Sequence, residues 1–125
     1  MFHVIDSALQ SSAPISNAVK LNGMVFTAQI PRIPGGDAIE LGEFSKQAQR
    51  TFENLKLMLE SAGGTMASVV QLTVFLVNGS DGPKMNEIYR QFFSAPYPNR
   101  ASVVVKELMV PGMLIEITVQ AWIGE

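Results

Sequence analysis

The chain has 125 residues, 47% of them hydrophobic, with nine basic and eleven acidic side chains for a formal net charge of −2. That length and apolar content predict a single domain, 1–125, with one real core, and the slightly acidic balance argues against a broad electrostatic footprint for DNA or RNA. The absence of cysteine excludes disulfides, thiolate nucleophiles and cysteine-ligated zinc, and no apolar run approaches the ~18 residues of a membrane-spanning helix. The opening stretch MFHVIDSALQ lacks the basic-then-apolar order of a secretory signal, so the expected compartment is the cytoplasm.

Residues 1–17 mix small and polar side chains around Pro14 and predict no element. Val19–Leu21 and the following MVFTAQI predict two strands joined at Asn22-Gly23, a pair that tolerates the positive φ angles of a short hairpin. PRIPGGDAIE, residues 31–40, is a loop. From Glu43 to Ala62 the period lengthens: Phe44, Ala48, Phe52, Leu55 and Leu59 recur every three or four residues, with Thr51, Met58 and Ala62 beside them. This is the inner stripe of an amphipathic helix ~30 Å long. Lys46, Gln49, Arg50, Glu53 and Lys56 form its outer face, and Gly63-Gly64 is the stop.

SVVQLTVFLV, residues 68–77, predicts a mostly buried strand, and NGSDGP a turn. Pro83 then opens a second helix that turns Met85, Ile88, Tyr89 and Phe92 inward and ends before Pro96 and Pro98. ASVVVKEL and MLIEITVQAW are two last strands on either side of Pro111-Gly112. The order ββαβαββ predicts a two-layer α/β sandwich, a mixed sheet with both helices packed on one face. Two helices cover one side of such a sheet, yet VVQLTVFLV and ASVVV are apolar at both alternations. The second face therefore predicts self-association.

The chemical inventory is sparse. His3 is the only histidine and no metal-ligand spacing surrounds it; PGGD and AGGT do not follow strands as phosphate or dinucleotide loops must. Neither a metal nor a cofactor is expected. Arg100 follows Pro96 and Pro98, which hold the backbone extended and pin the guanidinium. It is either an edge-strand surface residue or a carboxylate anchor at a subunit seam. Glu116 lies in the last strand, sharing a face with Leu114 and Thr118 while Ile115, Ile117 and Val119 take the other. Its face is either solvated or supplies a partner, because an unpartnered buried carboxylate is costly. Folding the last two strands about Val110-Pro111 would set residue 100 opposite roughly residue 120, not 116. Arg100 and Glu116 are then left to meet across a subunit boundary. Asn86 opens N-E-I-Y on the second helix, Gln29 sits where strand turns to loop and suits a structural role there, and Tyr97 lines a pocket or packs on the helix end.

Six segments, in order and spacing, carry a likeness: GMVFTAQIP (23–31), QAQRTFENLKLMLESAGG (47–64), SVVQLTVFLV (68–77), NEIYRQFF (86–93), YPNRASVVV (97–105) and LIEITVQAW (114–122). Together they resemble the RidA (YjgF) family of reactive enamine and imine deaminases. The resemblance implies a chorismate-mutase-like homotrimer with ligand clefts between adjacent subunits. It also implies a hydrolase that converts 2-aminoacrylate-like enamines and imines to 2-keto acid and ammonia, or a small-carboxylate binder on the same scaffold. By the same resemblance Arg100 grips the substrate carboxylate, Glu116 positions water or relays a proton, and Asn86 shapes the cleft. Three places depart from the family pattern. Ile15 stands where the deaminases carry a tyrosine, Thr27-Ala28-Gln29 replaces a Ser-Gly-Gln strand end, and Ala101-Ser102 replaces Ser-Cys. Ile15, Ala28, Gln29 and Ser102 thus join the implied substrate-binding set, Ala28 narrowing the cleft and Ile15 pointing to a larger or less polar substrate.

Overall fold

Six strands form one mixed sheet, with two helices against one of its faces, in a computed structural model that describes residues 1–124. The strands are β1 His3–Val4, β2 Ala18–Leu21, β3 Met24–Gln29, β4 Val69–Leu76, β5 Asn99–Val104 and β6 Ile115–Trp122. The helices are α1 Phe44–Ser61, between β3 and β4, and α2 Gly82–Phe92, between β4 and β5. This is the expected two-layer sandwich, extended at its start by β1. That strand pairs His3 with Lys20 and Val4 with Val19, and at two residues it is too short to show any period.

Across the sheet the order is β1-β2-β3-β6-β4-β5. All neighbours are antiparallel except β4 and β5. The last two strands are therefore not a hairpin, which corrects the pairing expected about Val110-Pro111. The physical reason is the connection. A strand reached through a helical crossover, here β4–α2–β5, returns parallel to the strand it left. β6 alternates cleanly, with Ile115, Ile117, Val119 and Ala121 buried, and takes the central position between β3 and β4. β5, half-exposed or exposed along its whole length, is left at the edge.

Asn22 and Gly23 have φ of 49° and 85°, the left-handed pair that a two-residue turn between β2 and β3 demands. Helix α1 ends as its glycines predict: Gly63 adopts φ 91° while Gly63 N and Gly64 N donate to the Glu60 and Leu59 carbonyls. Its inner stripe is buried as expected, with Phe52 at the centre of an aromatic cluster 5.9 Å from Tyr89, 5.6 Å from Phe92 and 6.2 Å from Phe93. The cluster lies against Leu72, Val74, Ile115 and Ile117 of the central strands, all of one core.

Two polar residues interrupt that stripe. Gln47 donates to the Gly42 and Gly112 carbonyls at 3.0 Å each and accepts from Leu114 N at 2.8 Å, tying the start of α1 to the turn before β6. Asn54 donates to the Ile30 and Arg32 carbonyls at 3.0 and 2.7 Å, pinning the loop after β3. Both amides supply hydrogen-bond partners to irregular backbone that no strand satisfies. Among the described residues the opposite face of the sheet carries no helix. By register, Phe26, Phe75, Val103 and Trp122 lie there beside Ala28, Thr118 and Glu116.

Candidate functional site

Arg100 opens β5 directly after Tyr97-Pro98-Asn99, and its pairing with Leu72 turns the side chain to the helix side of the sheet. There α2 builds its seat. Nη2 donates to Asn86 Oδ1 at 2.7 Å, Nη1 reaches Met85 Sδ at 3.6 Å, and Cζ lies 4.5 Å from the centre of the Tyr89 ring. A guanidinium resting on a ring face and held by one amide oxygen is fixed in plane and direction. Among the described residues no carboxylate comes within ion-pair reach of it. Two of its nitrogens each make one contact within the chain, so N–H donors remain for an outside acceptor. The guanidinium opens onto a cleft of about 410 Å³ that Asn86, Tyr89, Tyr97, Asn99 and Arg90 also line.

Tyr89 has two roles. Its ring stacks on Phe93 at 4.4 Å as part of the core, and its other face carries Arg100. Burial pushes its phenol above the ordinary value of 10.0, although the nearby Arg100 cation pulls the other way, so it stays a neutral hydroxyl. That hydroxyl is buried without a partner among the described residues.

Glu116 is elsewhere. It pairs with Phe75, on the face that no helix covers. It is half-buried, and desolvation alone pushes its carboxyl above the ordinary value of 4.5. Arg100 is linked to β6 through Leu72 and then Val119, two strands across and three residues from Glu116. Strand spacing and rise put the two backbones ~14 Å apart, and the side chains leave opposite faces. One protomer cannot bring them to one small ligand.

The other predicted residues divide in the same way. Asn86 touches Arg100, and Ser102 lies one pleat further along the same side of β5. Ala28 is exposed on the uncovered face, across from Thr118 and near Glu116. Ile15 is 61% exposed in the segment before β2, on a shallow groove with Ile5 and Leu9, far across the sheet from β5. Gln29 is turned inward, 1% exposed, with its amide donating to Asn17 Oδ1 at 2.7 Å and Thr27 Oγ1 at 2.9 Å. It fastens β3 to the chain before β2, the structural role that its place at the strand end suits. Met85, Tyr89, Asn99 and Arg90 were missed as parts of the site. The available signal was spacing: Asn86, Tyr89 and Arg90 stand at i, i+3 and i+4 on one helix and so share a face. Among the described residues no three His, Asp or Glu side chains converge as metal ligands.

Sheet, helices and hollow together define a two-layer α/β sandwich with a ligand-sized cationic cleft at one sheet edge. The family model described as Endoribonuclease L-PSP matches residues 5–123, and the chain belongs to that family, the RidA family whose motifs it resembles. A RutC family protein of Pyrococcus abyssi is 38% identical over 104 residues, 82% of each chain. A 2-iminobutanoate/2-iminopropanoate deaminase of Dermatophagoides farinae is 33% identical over 102 residues, 81% of this chain and 80% of that one. The crystal structure of RidA from an Antarctic Psychrobacter superposes with a TM-score of 0.89 at 34% identity, covering 97% of this chain and 99% of the other.

Proposed function

We propose that the protein is a hydrolytic deaminase of small reactive enamines and imines, releasing a 2-keto acid and ammonia. It works as a homotrimer whose clefts lie between subunits. The observation that carries this reading is Arg100: a guanidinium oriented by Asn86 and Tyr89, open to a cleft, with no carboxylate beside it among the described residues of its own chain. A planar fork with free donors takes a carboxylate bidentately, and partial shelter from water strengthens the grip. The relative named for 2-imino acids acts on that kind of anion. A net charge of −2 and a cleft of about 410 Å³ favour a small acid over the RNA backbone that the family model's description suggests.

The chemistry needs orientation and proton movement. With the carboxylate on Arg100, protonation of the β-carbon converts enamine to imine. Water adds to the imine carbon, the C–N bond breaks, and ammonia leaves with the proton it requires. Glu116 suits the proton work because burial raises its affinity for a proton. It must come from a neighbouring protomer, since within one chain it leaves the opposite face of the sheet from Arg100. The apolar uncovered face and the exposed strand β5 are the surfaces that bring protomers together.

The test is ammonia release from freshly generated 2-aminoacrylate. Purified protein accelerates it, and R100A lowers the rate at least ~100-fold. Equal rates for the two, both at background, overturn the assignment for that substrate. Ile15 in place of the family tyrosine favours a second reading, a binder of small carboxylates. Tight binding of 2-ketobutyrate without turnover is its signature.

A further inference from the structure

The cleft beside Arg100 contains a second cation. Arg90, in the last turn of α2, lines the same hollow. Glu87, one turn earlier, is within reach along the helix but pairs with Lys84 at 3.2 Å. Among the described residues Arg90 has no carboxylate partner, and no Asp or Glu lines the cleft. The rest of the lining is neutral, chiefly the amide of Asn86 and the rings of Tyr89 and Tyr97.

A cation in the last turn of a helix is favoured by the helix dipole wherever it points. That accounts for a basic residue at position 90 but not for two arginines lining one hollow to which the described residues of their own protomer bring no carboxylate. Like charges sharing a small cleft repel, and the one carboxyl that a neighbouring protomer's Glu116 brings cannot sit on both, so the arrangement is relieved further by a ligand that brings two negative groups. Size agrees. About 410 Å³ lies in the range of ~300–1,000 Å³ typical of small-molecule sites, more than a three-carbon acid occupies. Ile15, the residue that suggested a less polar substrate, lines a different groove of the protomer and does not lower the charge of this one.

The geometry points to 2-imino dicarboxylates as the preferred substrates of this site, with Arg100 on the carboxylate beside the imine and Arg90 on the distal carboxylate. The assignment rests on Arg100 as the anchor of the first carboxylate and adds the class of acid. Arg90 is a specificity residue; the reacting atoms lie with Arg100.

The experiment compares kcat/KM for 2-iminobutanoate and 2-iminoglutarate, each generated in situ, in the wild-type protein and in R90Q. Position 90 is exposed, so the variant folds. The wild type prefers the dicarboxylate; R90Q loses ~10- to 100-fold more on it than on the monocarboxylate, mainly through KM. R90K, which keeps the charge but not the fork, falls between. A wild type without preference, or an R90Q effect equal on both substrates, overturns the inference. If neither imine turns over, the deaminase reading fails and this one is still decided. Calorimetry with 2-ketobutyrate and 2-ketoglutarate upholds it where R90Q weakens the diacid alone, and overturns it where both are weakened alike or neither is.

Discussion

Arg32 and Arg100 are the same side chain put to opposite uses. Arg32 is 6% exposed, donates to the Gly36 carbonyl at 3.3 Å and sits 3.1 Å from Asp37 Oδ1, closing the loop after β3 on itself. Arg100 is held as firmly, but by an amide oxygen, a sulfur and a ring, none of which neutralises it. The two carboxylates differ in the same sense. Asp37 is held below its ordinary 3.8, first by hydrogen bonds from Ser12 and then by Arg32, whereas Glu116, half-buried without a partner among the described residues, is pushed above 4.5. A charge whose counter-ion the chain supplies is a clip. A charge oriented and left uncompensated is the place where an outside ion binds.

The largest expected effect separates the two arginines. R100A loses ~1,000-fold in kcat/KM with a melting temperature close to wild type. Should it unfold early and keep its activity per folded molecule, the comparison is broken. N86D sharpens it, because a carboxylate at Asn86 gives Arg100 an internal counter-ion and turns the anchor into a second clip. Affinity for 2-ketobutyrate then falls ~10- to 100-fold while urea stability holds or rises. R32A shows the reverse pattern, losing about 1–3 kcal/mol in urea unfolding with specific activity retained; the partner Asp37 is 58% exposed, so the loss stays below that of a fully buried pair.

The smallest effects are in pH. Asp37 binds protons less readily in the folded state, so its stabilisation is present above 3.8 and is lost as pH falls through the lower folded value. D37N removes that acid-side dependence. Glu116 binds protons more readily when folded, so stability declines as pH rises from 4.5 through its raised value, and E116Q abolishes the decline. Denaturant titrations at stepped pH read both slopes; slopes of the same sign refute the contrast.

Local periodicity made much of the fold legible. Helix α1 was bounded to within a residue because its stripe and its Gly63-Gly64 stop are local, and Asn22-Gly23 announced its own turn. What stayed hidden depends on distant partners. Gln47 and Asn54 look like surface amides until the Gly112 and Ile30 carbonyls are placed beside them. The insertion of β6 between β3 and β4 cannot be read from two neighbouring apolar runs, which suggest a hairpin about Val110-Pro111 rather than a parallel return of β5 to β4. Arg100 and Glu116 stand out from their surroundings, whereas Asn86 enters only through the family resemblance. That Asn86 holds Arg100 at 2.7 Å while Glu116 leaves by the other face is set by register, which no single segment encodes.

The central claim, an Arg100 anchor and a Glu116 proton carrier joined only between protomers, is tested most directly by subunit mixing. R100A and E116Q, each inactive alone, are unfolded together, refolded and assayed on 2-aminoacrylate. If every cleft takes Arg100 from one protomer and Glu116 from the next, random assortment leaves about a quarter of the clefts intact and restores about a quarter of wild-type activity. Activity no higher than either parent contradicts a shared cleft and with it the mechanism.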